Sequence, residues 1–499
     1  MNAGPAVLPR SLVSEVAASA LGSDTPPGLV SDVTDRVLRP DFARWQAHAA
    51  RTRGCTRPVR LRGYSMTVNA ATGELVESFD TDSLPDRTLY KPCGTRRESV
   101  CPACAQVYRW DAYHLIAAGL RGGKGVPDSV CEHPAIFLTL TPPSFGIVHT
   151  RTDRTGRPGT GHRRLGPCRP RRDRPVCPHG RPLSCGHIHG EGDTRTGTPL
   201  CLDCYDHAHQ VAWNAHVPKL WARTIDAVKR ELRRLSRRSG GVPAKLRYAK
   251  VAEFQARGAI HLHALLRLDG EHPTDTDAIL PPPPWATGEL LAELLTAAAA
   301  QIAIRTPAHP DQPAGWLVQW GEHVKPLPVR RGIPGAEVTE QHVAGYLAKY
   351  ATKATEPTGH LSARLDGSTV KLYDDPATHT GRLVAAAWQL GRPEAGDGWE
   401  RLRPWAHMLG FGGHFATKSR AYSTTFGALR AARATAMRRV NAASTAHPEQ
   451  LTADDHEDQV LVIGAWTYAG TGWRTTADAA LALVAADQAR SRRPAGIRP

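Results

Sequence analysis

The sequence lacks several features that would assign it to a class of protein at once. No apolar run approaches the roughly 20 residues that span a bilayer, and the amino terminus has no apolar signal-peptide core. We therefore expect a cytoplasmic protein with no membrane partner. No Gly-x-x-x-x-Gly-Lys-Ser/Thr phosphate loop is present, so we expect no built-in helicase motor. Lysine is scarce, and arginine supplies most of the 63 basic residues.

The net charge of the chain is strongly positive. The 63 basic and 47 acidic residues give +16 and a pI near 9.6, which favours a polyanionic partner such as DNA. The excess of arginine beside much alanine, glycine and proline also fits a GC-rich coding sequence, so composition alone does not decide. Basic residues cluster at 151–174 and 229–238, where they are suited to phosphate contacts. A solvated charged face is the alternative for either cluster.

Ten cysteines form two clusters whose spacing is typical of metal sites rather than of disulfides. Cys93 and Cys101-Pro-Ala-Cys104 give three ligands, and Cys55 is chosen as the fourth because Cys131 and His133 lie beyond a predicted helix. A denser cluster between 168 and 204 has two thiolate pairs that fit a tetrahedral zinc knuckle. The predicted zinc ligands are Cys55, Cys93, Cys101 and Cys104 in the first cluster and Cys177, Cys185, Cys201 and Cys204 in the second. Buried free cysteines are the alternative.

Two histidines on one predicted strand are the most informative feature of the chain. Within the run 258–266, His261 and His263 share a face because side chains alternate along a strand. Residues 244–254 predict a second strand, and the turn at 255–258 joins the two in a hairpin that places Glu253 opposite His261. Two imidazoles and a carboxylate suit Mg²⁺ or Mn²⁺ with positions left open for phosphate oxygens. Three polar residues on the wet face of a half-exposed sheet are the alternative.

A stripe of tyrosine and lysine lies on a helix predicted from Thr339 to Ala354, with Thr339 as its N-cap. Its members share one helix face, opposite an apolar face. They are Tyr346, Lys349, Tyr350 and Lys353. A tyrosine oxygen can attack a metal-polarised phosphate to form a covalent phosphotyrosine, and nearby lysines stabilise the charge that develops. The stripe therefore predicts phosphodiester chemistry.

These motifs together resemble those of the HUH endonucleases, which initiate rolling-circle replication. The hydrophobic strand, the His-hydrophobic-His strand and the tyrosine helix of that superfamily occur in order. They are Ile136-Phe-Leu-Thr-Leu-Thr141, Ile260-His-Leu-His-Ala264 and Tyr346-x-x-Lys-Tyr350-x-x-Lys353, the last in the two-tyrosine form. The resemblance implies an antiparallel sheet with helices on one side, whose central strands present the metal ligands beneath the tyrosine helix.

From about residue 50 to about residue 435 the chain looks closer still to the RepSA-type initiators of actinobacterial plasmids and integrative elements. The matching segments include Val251-Ala-Glu-Phe-Gln255, Pro199-Leu-Cys-Leu-Asp-Cys-Tyr205 and Trp405-Ala-His-Met-Leu-Gly410. The resemblance implies that one tyrosine nicks an origin, stays joined to the 5′ end and leaves a 3′ hydroxyl to prime a polymerase. The second tyrosine then releases a circle. A host helicase and polymerase are the implied partners besides the DNA.

The expected fold class is α+β, with an HUH nuclease core, zinc-binding insertions and a mainly helical carboxy-terminal region. The predicted segments are 1–50 (helical), 51–134 (strands and zinc), 135–356 (nuclease core, with the knuckle inserted at about 145–210) and 357–499 (possible DNA contacts and a basic tail). A conjugative relaxase or transposase of the same superfamily and a non-catalytic zinc-ribbon regulator are the alternative functions. A zinc deaminase pattern around Glu191 and Cys201 is disfavoured by its spacing.

Overall fold

The computed structural model describes residues 9–21, 26–154, 164–173, 175–329, 339–352, 364–444 and 460–491. The chain divides into two compact units, one comprising 1–111 with 427–499 and the other 112–426. We call them the flanking unit and the central unit. Within the described residues, no helix combines the length and the apolar character needed to cross a membrane.

Helices and strands alternate along the described chain, as expected for a mixed α and β protein. The helices are α1 (Arg10–Leu21), α2 (Pro27–Val37), α3 (Phe42–Ala50), α4 (Pro102–Arg121), α5 (His207–Ser239), α6 (Gly288–Gln301), α7 (Glu340–Thr352), α8 (His379–Leu390), α9 (Phe426–Ser444) and α10 (Thr476–Ser491). The strands are β1 (Val59–Asn69), β2 (Leu75–Asp80), β3 (Leu89–Lys91), β4 (Ala135–Leu140), β5 (Thr152–Arg154), β6 (Arg164–Gly166), β7 (Ala244–Phe254), β8 (Ile260–Gly270), β9 (Ala303–Arg305), β10 (Leu317–Gln319), β11 (Val324–Pro328), β12 (Ala416–Lys418) and β13 (Val460–Thr471).

The central unit is built on a five-stranded antiparallel sheet in the order β11-β4-β8-β7-β12. Its centre is the long hairpin of β7 and β8, in which Glu253 pairs with His261. The turn between the strands ends in Gly258 at φ 76°, a conformation that residues with a Cβ adopt only with strain. The predicted hairpin and its register are therefore confirmed.

Alternation along β8 separates a core face from a polar face. The core-facing residues are fully buried: Ile260, Leu262, Ala264, Leu266 and Leu268. They belong to one hydrophobic cluster with residues of α5 and α6. Burying such a side chain stabilises the fold by roughly 1.5–3 kcal/mol, so this face fixes the hairpin against α5.

A buried asparagine ties the hairpin turn to α5. The Asn214 side chain donates to the carbonyls of Gly258 and Leu409, both at 3.0 Å, and accepts from the Ile260 backbone N–H at 3.0 Å. Each bond contributes about 1 kcal/mol net, and an unpaired buried amide would cost more than that. The start of β8 at Ile260 is thus held rigidly, one residue before His261.

The opposite face of the sheet is covered by α7, which packs against β7. Helices therefore lie on both faces, with α5 and α6 on the core side and α7 on the side of the histidines. Val343 and Leu347 of α7 are buried, as the predicted apolar face requires. The Thr339 hydroxyl accepts from the His342 N–H at 3.3 Å, which confirms the predicted N-cap.

The central unit extends beyond the predicted end of the nuclease core at residue 356. Strand β12 pairs with β7 at the sheet edge, and α8 packs against α5. The segment predicted as a carboxy-terminal region is thus divided at 426, since its first part completes the sheet and the core. Between β4 and α5, the described residues of the insert hold only the β5–β6 pair and isolated bridges as regular structure.

The flanking unit joins the two ends of the chain in one sheet. Strand β13 pairs with β1 along its whole length, from Val59 opposite Thr471 to Asn69 opposite Val460. The other edge of β1 carries β2 and β3. Helix α10 packs against α2 and α3. These contacts bring sequence-distant segments together in one unit.

Candidate active site

Strand β8 presents His261 and His263 side by side on the polar face of the sheet, with ring centroids 4.5 Å apart. Glu253 of the neighbouring strand β7 reaches the same place, and its Oε2 lies 3.5 Å from His263 Nε2. These three side chains were predicted to converge from the hairpin register alone. Their backbone positions follow that register, and Glu253 and His263 meet directly.

Helix α7 places Tyr346 over His263. The Tyr346 hydroxyl lies 3.4 Å from His263 Nε2, and the two rings meet edge to face with centroids 5.0 Å apart. Phe137 of β4 stacks on His263 with an interplanar angle of 7° and contacts the Tyr346 ring at its edge. The aromatic contacts hold the phenol oxygen at the imidazole, while the Tyr346 side chain remains 38% exposed.

The other predicted members of the tyrosine stripe are described less fully. Lys349 lies exposed on α7, one turn after Tyr346. The backbone of Tyr350 belongs to α7, but its side chain lies outside what the structure describes, and Lys353 lies outside the described residues.

His261 has a low pKa and one ring nitrogen without a hydrogen-bond partner among the described residues. Burial first, and then the nearby His263 and Arg257 side chains, lower the pKa of His261 to about 3. Its Nδ1 accepts from the Gln255 amide at 2.9 Å, and Gln255 in turn accepts from Arg257 Nε at 3.0 Å. Its Nε2 is buried and has no hydrogen-bond partner among the described residues. Because Nδ1 accepts, the proton of the neutral ring lies on Nε2, and a cation that binds Nε2 would displace that proton.

Thr139 of β4 orients the second histidine. Its hydroxyl lies 3.1 Å from His263 Nδ1, which leaves Nε2 directed toward Glu253 and Tyr346. Two imidazoles and a carboxylate fit Mg²⁺ or Mn²⁺ by donor chemistry. They form a looser set than the cysteine groups. Among the described residues, the groups whose candidate ligand atoms all lie within 4.8 Å of one another consist of Cys, His and Asp. Glu253, His261 and His263 do not form such a group.

The first cysteine group lies in the flanking unit. The structure brings its predicted members together: Cys55, Cys93, Cys101 and Cys104, with all four sulfur atoms within 4.8 Å of one another. A hydrogen bond from the Cys104 thiol and the backbone N–H groups of Cys93 and Arg57 outweigh burial and lower the pKa of Cys55 to about 5. Four cysteine sulfurs, one of them an easily formed thiolate, match the ligand set of a structural zinc ion.

The second cysteine group differs from the predicted knuckle by one member. Cys177, Cys201 and Cys204 converge on His179, whose Nδ1 lies 3.2 Å from Cys204 Sγ and 3.7 Å from Cys201 Sγ. The predicted fourth ligand, Cys185, lies elsewhere, because an antiparallel bridge pairs it with Arg169. It belongs to a separate group with His149, Cys168 and His189.

Four candidate ligands were therefore not among the predicted zinc ligands, although three of them lie in the predicted cluster: His149, Cys168, His179 and His189. His179 was detectable, since it follows Cys177 by two residues in a polar segment. His149 was not, because it lies far from Cys185 in sequence and only the backbone bridges of the insert bring them together.

The fold and the site describe a mixed α/β protein with a histidine-presenting hairpin beneath a tyrosine helix and with Cys/His groups that could hold zinc. Residues 41–487 match the RepSA family, described as "Replication initiator protein, pSAM2". A protein of Streptomyces ambofaciens named "Replication initiator protein" is 41% identical over 456 residues, which cover 89% of this chain and 90% of that protein. No solved structure matches the chain.

The chain belongs to the RepSA family of replication initiator proteins. The resemblance to the RepSA-type initiators is thereby confirmed, and membership supports a role in replication initiation.

Proposed function

We propose that this protein initiates rolling-circle replication by nicking one strand of an origin through a tyrosine nucleophile, on an HUH endonuclease core. The observation that carries the proposal is the Tyr346 hydroxyl 3.4 Å from His263, on the sheet face that also holds Glu253 and His261. A phenol beside two imidazoles and a carboxylate is suited to phosphodiester cleavage.

The chemistry assigns a role to each side chain. Glu253, His261 and His263 would hold Mg²⁺ or Mn²⁺, which supplies Lewis-acid polarisation of the scissile phosphate when bound. The Tyr346 oxygen loses its proton and bonds to phosphorus, the bond from phosphorus to the 3′ oxygen breaks, and the 3′ oxygen takes up a proton. The products are a 5′-phosphotyrosine and a free 3′ hydroxyl. Lys349, one turn along α7, stabilises the charge that develops on the phenol oxygen and the phosphate.

The second tyrosine of the stripe completes the cycle. Tyr350 follows Tyr346 by one helical turn and is the proposed nucleophile for a second cleavage after one round of synthesis, with Lys353 assisting. The 3′ hydroxyl left by that cut attacks the first phosphotyrosine, which rejoins the strand and releases the tyrosine. Either tyrosine is free to act first in this scheme.

A cleft of about 800 Å³ provides a path for single-stranded DNA next to the site. The hairpin turn at Gln255 and Arg257 lines one wall, and Arg151 and Arg169 of the insert line another. Arginine side chains at these walls favour phosphates, and Gln255 links the cleft to His261 by its hydrogen bond. DNA lying in the cleft would pass the end of the ligand-bearing hairpin.

The cysteine groups serve as scaffold in this proposal, with Zn²⁺ as the ion that they hold. The DNA partner is the replication origin, exposed as a single strand at the nick. Strand separation and synthesis are assigned to a host helicase and a host polymerase, so the protein acts in the cytoplasm where these are found.

The test is the formation of a denaturant-resistant protein–DNA adduct. Full-length protein is incubated with single-stranded origin DNA or supercoiled origin plasmid, with and without Mn²⁺, and analysed on denaturing gels. We expect a metal-dependent adduct with the wild type, a weaker one with Tyr346→Phe or Tyr350→Phe, and none with both substitutions. Tyr468→Phe is the matched control, because this exposed tyrosine lies in the flanking unit.

The proposal is wrong if the double variant still forms the adduct. Binding without any adduct in the wild type would favour the zinc-ribbon regulator. A nick mapped to a transfer site rather than to an origin would favour the relaxase.

A further inference from the structure

We propose that His149, Cys168, Cys185 and His189 bind a zinc ion of their own, separate from the Cys177 group of the same insert. Their four ligand atoms all lie within 4.8 Å of one another. Two thiolates and two imidazoles favour tetrahedral Zn²⁺ over Mg²⁺ or Ca²⁺, which prefer oxygen ligands.

The backbone of the insert brings the four residues together from distant segments. Arg169 and Cys185 exchange two backbone hydrogen bonds, of 2.7 and 2.9 Å, and the Cys168 N–H donates to the His187 carbonyl at 2.9 Å. These bonds place Cys168 beside Cys185. His149 is fixed from another segment, since its N–H donates to the Thr198 carbonyl at 2.9 Å and its carbonyl accepts from Gly197 at 2.8 Å.

The surroundings of the four side chains are those of metal ligands. The Thr150 backbone N–H lies 3.1 Å from Cys168 Sγ, a contact that stabilises a thiolate. His189 Nδ1 lies 2.7 Å from Asp193 Oδ2, which turns its Nε2 toward Cys185 Sγ at 3.7 Å. A histidine that donates one nitrogen to a carboxylate and offers the other to a cation is a recurrent arrangement at zinc sites.

His149 supplies an independent indication of a missing ligand. Its Nδ1 is buried and has no hydrogen-bond partner among the described residues. A polar atom buried in this way costs about 1–3 kcal/mol unless something pairs with it. A cation bound by this ring nitrogen would satisfy it.

The described part of the insert has no apolar core that would hold this arrangement without metal. Between residues 146 and 204, the buried residues that the structure describes are candidate ligands, glycines and a proline: Gly166, Cys168, Cys177, His189, Gly197, Pro199 and Cys201. Metal binding replaces apolar burial as the source of folding free energy in such segments. Two separate ions, one for each group, therefore hold the insert together.

Zinc stoichiometry tests the proposal on the full-length protein, by elemental analysis and native mass spectrometry. We expect Cys177→Ser and Cys185→Ser each to lose one zinc ion, and the double variant to lose two. Cys131→Ser is the matched control, because this exposed cysteine belongs to no candidate group, and it should lose none. The differences between variants decide the result, whatever the Cys55 group contributes to the total.

A double variant that loses only one ion would show a single shared knuckle and would overturn the proposal. Asp193→Asn is a second test variant in which all four ligands are kept, so an effect on zinc binding does not arise from the removal of a ligand. It should weaken the affinity for one zinc ion by roughly 10- to 100-fold in chelator competition. Unchanged affinity for every ion would also contradict the assignment.

Discussion

The hydrogen bond between Thr139 and His263 offers a sharp test of how the site holds its metal ion. Thr139 lies directly across from His263 in the sheet, and its hydroxyl is 3.1 Å from Nδ1. Thr139→Val keeps the shape of the side chain and removes this bond. Without this bond, the His263 ring can rotate so that Nε2 turns away from Glu253, and it can adopt the other tautomer.

The expected cost appears in metal affinity. Removing the partner that orients a metal-binding histidine typically weakens metal binding by roughly 10- to 100-fold. This factor corresponds to about 1.4–2.7 kcal/mol. The loss of folding free energy should be smaller, about 1 kcal/mol for one partly buried hydrogen bond, so the variant should remain folded.

The assay is a Mn²⁺ titration of adduct formation on single-stranded origin DNA. The Mn²⁺ concentration at half-maximal rate should rise by the factor given above, and saturating Mn²⁺ should restore most of the rate. Thr296→Val is the matched control, because that exposed threonine of α6 donates its hydroxyl hydrogen bond to the Ala292 carbonyl of its own helix, at 2.9 Å. An unchanged midpoint, or a rate loss that saturating Mn²⁺ does not relieve, would refute the reasoning.

Three further predictions concern folding, DNA and zinc. Asp269→Asn should lower the free energy of unfolding by about 3–5 kcal/mol in urea titrations, because fully buried Arg267 then lacks its carboxylate. In the wild type, burial raises the pKa of Asp269, but bonds from His133 and Arg267 outweigh it and hold the pKa below its usual value. The stabilisation by ionised Asp269 should be complete above about pH 3.9, the ordinary aspartate pKa, and should be lost as the pH falls through the lower pKa of Asp269 in the folded state. A difference in unfolding free energy between variant and wild type that does not change with pH would contradict this. Arg151→Ala should reduce the slope of log affinity against log salt concentration by about 0.7, measured by fluorescence anisotropy with single-stranded DNA. An unchanged slope would show that Arg151 does not contact the DNA phosphates. Zinc chelation should increase amide hydrogen exchange in 146–204 and leave the β7–β8 hairpin protected, whereas equal exposure of both would show that the insert and the sheet unfold together.

The hairpin could be predicted because its determinants are local. Alternating side chains and a glycine at positive φ fix both the register of β7 and β8 and the pairing of Glu253 with His261. The helix that carries Tyr346 was predictable for the same reason, since its cap and its apolar face lie within a few turns.

Features that depend on distant pairing were not accessible. The division of the chain rests on the pairing of β1 with β13, which no local pattern reports. The assignment of Cys185 failed similarly. Its spacing from Cys177 fits one knuckle, whereas the bridge to Arg169 places it in another group. The approach of Tyr346 to His263 also depends on packing between α7 and the sheet, which the order of the motifs suggests but does not determine.

The pairing of β1 with β13 has a consequence for how the protein is made. A ribosome completes β1 long before it reaches β13, and the residues between Asn69 and Val460 take roughly 20–80 s to synthesise at typical rates. During that interval one edge of β1 has no partner strand, and open edges invite pairing with other chains. The last strand of the central unit, β12, is complete before β13 is made, so the central unit can fold first. The flanking unit is therefore the last part to assemble and the part most exposed to aggregation during synthesis.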